Sequence, residues 1–68
     1  MSLRANLTHH RKAAGLTQAE LATAVGVSRK TINTVENNVF VPSTVLALKL
    51  AKALNTSVET LFELDQDD

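Results

Sequence analysis

The chain has 68 residues, with seven basic and seven acidic side chains and no cysteine. This length supports one small domain, which buries only about 60% of the surface that its unfolded chain exposes. Without cysteine, neither a disulfide nor a thiolate metal site can stabilise such a domain. We therefore expect its stability to come from tight helix packing or from a second subunit.

No stretch of the sequence reaches the roughly 18–20 apolar residues of a transmembrane helix, and no signal peptide opens the chain. We expect a soluble, cytoplasmic protein with no membrane partner. Residues 1–40 hold five basic and two acidic side chains, whereas residues 41–68 hold two basic and five acidic ones. This asymmetry favours a basic working face and an acidic far end.

Apolar spacing and turn residues mark the first two helices. The first segment has apolar residues at helical spacing from Leu3 to Ala14, and it ends at Gly15, which suits a left-handed helix terminus. The sequence TQAE at 17–20 has the pattern of a capping box, so the second helix begins there. Gly26 ends the second helix.

Three further helices each follow a serine that can cap them: Ser28, Ser43 and Ser57. Asn38 ends the third helix because asparagine tolerates the left-handed conformation, and Pro42 keeps the residue before it out of a helix. The sequence thus predicts an all-α, five-helix domain over residues 1–68, with its core at about 3–63 and an acidic tail at 64–68. It leaves open a pairing of two or three residues between the tail and the N-terminus.

The third helix separates an apolar face from a polar one. At about 100° per residue, Ile32 and Val35 lie together on one side. The opposite arc carries Arg29, Lys30, Asn33 and Thr34. Arginine can pair with guanine and asparagine with adenine, and cations in a first turn suit a helix that approaches phosphates. The same arc also fits an ordinary solvated face.

The second and third helices have the spacing of a helix-turn-helix, with Ala22, then Gly26 four residues on, then Ile32 after six more. From about Leu7 to Phe62, the segments LTQAELA, GVSRKTIN and PS before an apolar helix resemble the phage-repressor and Cro type of helix-turn-helix domain, the XRE-like family. The resemblance implies a five-helix, lambda-repressor-like fold with helices 2 and 3 as the helix-turn-helix. It also implies a compact, stand-alone bacterial regulator that acts as a homodimer.

The resemblance further implies roles for single residues. Gln18 opens helix 2 where the family uses a glutamine to bind a phosphate. The positions that meet bases or flanking phosphates in the major groove are Ser28, Arg29, Lys30, Asn33 and Thr34. Asn37 matches a turn that contacts the DNA backbone. Arg11 and Glu36 match a pair that joins helices 1 and 3, which makes Glu36 structural rather than catalytic.

The chain departs from the family where Asn38 replaces the usual glycine and Val39 replaces a frequent cation. The second change weakens the phosphate contact expected from this loop. Helix 4 and the C-terminal segment also hold more apolar residues than one face can bury. We expect these residues either to complete the core or to form a dimer contact: Val45, Leu46, Leu48, Leu61, Phe62 and Leu64.

The remaining polar residues do not suggest chemistry. The adjacent His9 and His10 point about 100° apart on a helix and cannot both ligate one ion well, and neither cysteine nor an HExxH motif accompanies them. No serine, histidine and carboxylate arrangement for nucleophilic catalysis can be recognised. We expect no metal, no cofactor and no enzymatic activity.

These observations together predict a transcriptional regulator, a repressor, that binds a palindromic double-stranded DNA operator as a homodimer and reads the major groove with helix 3. The alternative is an antitoxin-like interaction module, which binds a partner protein and autoregulates its operon. The near-zero net charge and the apolar segment at 39–41 favour this alternative. The polar arc of helix 3 favours DNA.

Overall fold

A computed structural model describes residues 3–65 of the chain. In that range the elements are β1 (Leu3–Ala5), α1 (Leu7–Ala13), α2 (Gln18–Val25), α3 (Arg29–Glu36), α4 (Thr44–Ala53), α5 (Val58–Leu61) and β2 (Phe62–Leu64). The five-helix prediction is confirmed. The last three residues of the predicted acidic tail lie outside the described range.

The two ends of the described chain form a small antiparallel sheet, the pairing that the sequence left open. The register places Leu3 opposite Leu64, Arg4 opposite Glu63 and Ala5 opposite Phe62. The expectation that the first helix includes Leu3 was wrong, and Leu64, the first residue of the predicted tail, lies in β2. Strands of three residues are too short to show the alternation by which a sequence reveals a strand.

The turn between α2 and α3 follows from local backbone chemistry. The capping box at the start of α2 is confirmed, since Thr17 Oγ1 accepts from the Glu20 N–H at 3.0 Å and Glu20 Oε1 accepts from the Thr17 N–H at 2.8 Å. Gly26 ends α2 with φ of 75°, a left-handed conformation that glycine adopts at little cost. Ser28 then caps α3 by accepting from the Thr31 N–H at 3.2 Å. Only residues 26–28 separate the two helices.

Every helix contributes to one core. Its largest fully buried side chains are Leu7, Leu21, Ile32, Val35, Leu50 and Leu61. Each such burial stabilises the fold by about 1.5–3 kcal/mol relative to an exposed side chain. Ile32 and Val35, on one side of α3, thus anchor this helix in the core. The other side of α3 stays uncovered. None of the helices in the described chain is long and apolar enough to span a membrane.

The structure divides the six apolar residues that the sequence proposed for a dimer contact. For Leu46, Leu61 and Phe62 the first of the two expected roles holds, because they belong to the core and are 7%, 0% and 6% exposed. In α4 the helical period turns Leu46 inward toward the other helices, whereas the other α4 candidates face out. The three that remain exposed are Val45, Leu48 and Leu64.

Candidate nucleic-acid interface

One side of α3 is an uncovered polar surface. It consists of Ser28, Arg29, Lys30, Asn33 and Asn37, all exposed, with the half-buried Thr34 at its edge; we call these six residues the polar face of α3. Behind it, Ile32 and Val35 are 0% and 1% exposed. The helix is therefore anchored by two apolar side chains and offers its polar side chains to a ligand.

The two cations of the polar face, Arg29 and Lys30, form no ion pair with any residue in the range 3–65. In the part of the chain that the structure describes, ion pairs involve Arg4 and Arg11 but neither Arg29 nor Lys30. Both of these side chains lie in the first turn of α3, directly after its cap. A polyanion could thus bind here without displacing any of the acidic side chains that the structure describes.

Hydrogen bonds within α3 determine which polar atoms remain for a ligand. Asn37 Nδ2 donates to Asn33 Oδ1 at 2.7 Å, so Asn33 keeps both of its amide hydrogens. Thr34 Oγ1 donates to the Thr31 carbonyl at 2.9 Å, which leaves its oxygen able to accept. The polar face therefore offers donors from its cations and Asn33, and an acceptor from Thr34.

A largely buried ion pair fixes the far end of α3. Arg11 Nε lies 2.6 Å from Glu36 Oε2, and the two side chains are 10% and 4% exposed. Arg11 Nη1 also donates to the Leu16 carbonyl at 2.8 Å. The pair that the family resemblance implies is therefore present, and it joins α1, the loop before α2 and the last residue of α3.

Gln18 and Thr8 complete this network around the same carboxylate. Gln18 Nε2 donates to Glu36 Oε1 at 2.9 Å. Burial raises the pKa of Glu36, but hydrogen bonds from Arg11, Gln18 and Thr8 and the positive charge of Arg11 outweigh it and bring that pKa below its usual range. The carboxylate is therefore ionised at neutral pH, and its role is to hold helices together.

From the sequence, Gln18 is predicted to bind a phosphate. Its hydrogen bond with Glu36, and that of Thr8 with the same carboxylate, were not predicted. The side-chain nitrogen of Gln18 carries two hydrogens. Gln18 can therefore donate one hydrogen bond to Glu36 and a second one to a phosphate. Thr8 could have been recognised from its spacing, since it precedes Arg11 by three residues and shares its face of α1. No sequence signal pointed to the bond between Gln18 and Glu36, because it joins two different helices.

His9 and His10 are neighbours on α1. The rings of His9 and His10 meet edge to face with centroids 5.4 Å apart. Within residues 3–65, no three histidine, aspartate or glutamate side chains come together in a way that could hold an ion.

Two helices joined by a tight turn, the second with an uncovered polar face, define a helix-turn-helix DNA-binding fold. Residues 9–61 match a family model described as Helix-turn-helix. The chain belongs to this family of transcriptional regulators. An uncharacterized HTH-type transcriptional regulator from Methanothermobacter thermautotrophicus is 46% identical to it over 66 residues, which cover 96% of each protein.

Solved structures of regulators are similar to the domain as well. The master regulator for biofilm formation SinR, in complex with DNA, is 31% identical with a TM-score of 0.74, over 79% of this chain and 87% of that chain. The restriction-modification controller protein C.AhdI from Aeromonas hydrophila is 38% identical with a TM-score of 0.74, over 78% and 80% of the two chains. These likenesses extend over most of the fold.

Replacement of Glu36 by glutamine should destabilise the domain by about 3 kcal/mol, because it leaves the Arg11 guanidinium largely buried without a counter-charge. Urea denaturation at neutral pH measures the change. Glu63→Gln is the matched control, since Glu63 pairs with Arg4 at 3.0 Å but both side chains are about half exposed. That control should cost less than about 1 kcal/mol. Equal losses in the two variants would contradict the assigned role of Glu36.

The advantage of the wild type over Glu36→Gln should disappear in acid. The folded pKa of Glu36 is lowered, so its stabilisation is complete above the ordinary glutamate pKa of about 4.3 and is lost as pH falls through the folded pKa. Urea midpoints of both proteins between pH 7 and pH 3 test this. Other carboxylates titrate in both proteins and cancel in the difference. A difference that stays constant to pH 3 would contradict the assignment.

Proposed function

We propose that the domain binds double-stranded DNA sequence-specifically as a homodimer, with α3 of each subunit in the major groove, and that it represses transcription by excluding polymerase. The observation that carries this proposal is the polar face of α3. It combines two cations that pair with no acidic side chain of the described chain and a row of hydrogen-bonding side chains, on a helix anchored by two buried residues on its opposite side. An α-helix of this kind fits the width of the major groove.

The order of side chains along α3 suggests how the helix reads DNA. Arg29 and Lys30 lie in its first turn, the part that contacts base edges when a recognition helix enters the groove. Arg29 can pair with the O6 and N7 atoms of guanine, and Lys30 supplies charge to bases or phosphates. Asn33, one turn further, keeps two amide hydrogens for an acceptor such as adenine N7. Sequence preference would thus depend mostly on Arg29 and Asn33.

Contacts to the DNA backbone would fix the register of the helix. Gln18 begins α2, where the helix terminus favours an anion and where the second amide hydrogen of Gln18 remains for a phosphate oxygen. Ser28 and Asn37 mark the two ends of the polar face and are exposed. Because Gln18 also binds Glu36, a phosphate contact there would be connected directly to the buried ion pair.

Exposed apolar residues support a homodimer. Val45 and Leu48 on α4 and Leu64 on β2 are 62%, 57% and 60% exposed. Such side chains on a small domain favour a second subunit. The molecule measures 33 × 21 × 20 Å, so two touching copies can place their α3 helices about 34 Å apart, the spacing of successive major grooves. The alternative of an antitoxin-like interaction module is not favoured, because the relatives named above are transcriptional regulators.

Arg29→Ala should weaken binding to the preferred operator by about 1–3 kcal/mol and relax base preference at one position. Selection from a random DNA pool defines the operator, and gel-shift titrations over a salt series measure affinity. Lys52→Ala is the matched control, since it removes one exposed cation from α4 and should leave base preference unchanged. Unchanged affinity and preference in Arg29→Ala would show that the proposed base contact of Arg29 is wrong.

Val45→Gln combined with Leu48→Gln, and separately Leu64→Gln, should shift the protein from dimer toward monomer in sedimentation equilibrium. Each change replaces an exposed apolar side chain by a neutral polar one and so weakens the proposed subunit contact without adding charge. Ala24→Gln, an exposed position on α2, serves as the control and should remain dimeric. A wild type that is monomeric while bound to its operator would disprove the homodimer.

A further inference from the structure

We infer that Asn38 is a positioning residue for α3: its side chain ties the loop after this helix to strand β1 and thereby aligns the polar face of α3 with DNA. The inference rests on the proposed function, because an alignment has meaning only if α3 binds DNA. It concerns the amide group of the Asn38 side chain, which a glycine in the same turn would lack.

The backbone at Asn38 does not by itself require asparagine. Asn38 follows the end of α3 with φ of 60°, and its N–H donates to the Val35 carbonyl at 3.2 Å. Glycine and asparagine both adopt this left-handed conformation more readily than other residues do. Glycine would therefore reproduce the turn, and any additional role belongs to the amide group of the side chain.

The side-chain amide of Asn38 contacts the terminal sheet. The Ala5 N–H donates to Asn38 Oδ1 at 2.9 Å. Ala5 lies opposite Phe62 in the sheet, and its N–H points away from β2 toward Asn38. The hydrogen bond therefore occupies a donor on the outer edge of β1 and joins the sheet to the loop after α3.

The same loop is fastened to α3. The N–H groups of Val39 and Phe40 both donate to the Thr34 carbonyl, at 2.9 and 3.2 Å. The last turn of α3 and the residues that follow thus form one hydrogen-bonded unit. Whatever holds Asn38 in place also holds the end of α3.

The C-terminal end of α3 is then anchored on two sides. Glu36 binds Arg11 of α1, and Asn38 binds Ala5 of β1. The eight residues of α3 span about 12 Å. A tilt of about 5° about the anchored end would therefore move the first turn by about 1 Å. Because hydrogen bonds tolerate only about 2.7–3.2 Å between N and O atoms, such a shift would spoil base contacts made by Arg29.

The competing explanation is that Asn38 contacts a phosphate directly through Nδ2. The two explanations predict different effects of Asn38→Gly, which keeps the turn and removes the amide. Loss of alignment should lower operator affinity but leave non-specific DNA affinity and the salt dependence unchanged, since no phosphate contact is removed. Loss of a phosphate contact should weaken both kinds of binding and reduce the slope of log affinity against log salt by about 0.9.

The experiment compares wild type, Asn38→Gly and Asn38→Asp, at a temperature where circular dichroism shows each to be fully folded. Gel shifts over a salt series measure the ratio of operator to non-specific affinity, and hydrogen exchange measures protection of the Ala5 amide. Asn38→Gly should lower the ratio about five- to tenfold and speed Ala5 exchange. Asn38→Asp keeps the acceptor, so both its Ala5 protection and its ratio should stay close to wild type, although its charge weakens both affinities.

Asn55→Gly is the matched control, because Asn55 has the same left-handed conformation, with φ of 54°, at the end of α4. It should leave the affinity ratio and the Ala5 amide unchanged. If Asn38→Gly speeds Ala5 exchange but keeps the wild-type ratio, or if it reduces the salt slope, the inference is wrong while the proposed function stands. If the wild type itself prefers no DNA sequence, the proposed function is wrong and the inference falls with it.

Discussion

The ion pair between Arg11 and Glu36 is the interaction on which the rest of the site depends. Two charges that are taken out of water stabilise a fold only when nearly all of their hydrogen-bonding groups find partners. Here Arg11 also donates a hydrogen bond to the Leu16 carbonyl, and Glu36 also accepts one from Gln18. No buried side-chain nitrogen or oxygen in the described range lacks a partner. Because this network and two apolar residues hold α3, its remaining polar side chains are available for recognition.

Much of the fold could be predicted because its boundaries depend on local chemistry. The hydroxyls of Thr17, Ser28, Ser43 and Ser57 each cap the helix that follows them, as the sequence indicates. The sheet could not be predicted in this way. It depends on backbone hydrogen bonds between segments about 59 residues apart, and three-residue strands carry no periodic signal.

In the site, too, features within one helix could be predicted from the sequence, whereas contacts between helices could not. Helical periodicity separates Ile32 and Val35 from the polar face of α3, because both faces belong to one helix. It cannot show that the Gln18 amide meets Glu36, since that contact depends on how two helices cross. The apolar excess of α4 is ambiguous for a similar reason: Leu46 and Val45 are equally apolar neighbours, and only packing decides which one is buried.

The terminal sheet also affects the order in which the domain can be completed during synthesis. Arg4 is made 59 residues before Glu63, its partner across the sheet. The helix-turn-helix is fully translated well before that, so α2 and α3 can begin to pack while β1 still lacks β2. Contacts between distant parts of a chain form late because closing a long loop is costly. In a nascent chain, α2 and α3 can therefore form early, whereas the contact between β1 and β2 forms only after residues 62–64 have been translated.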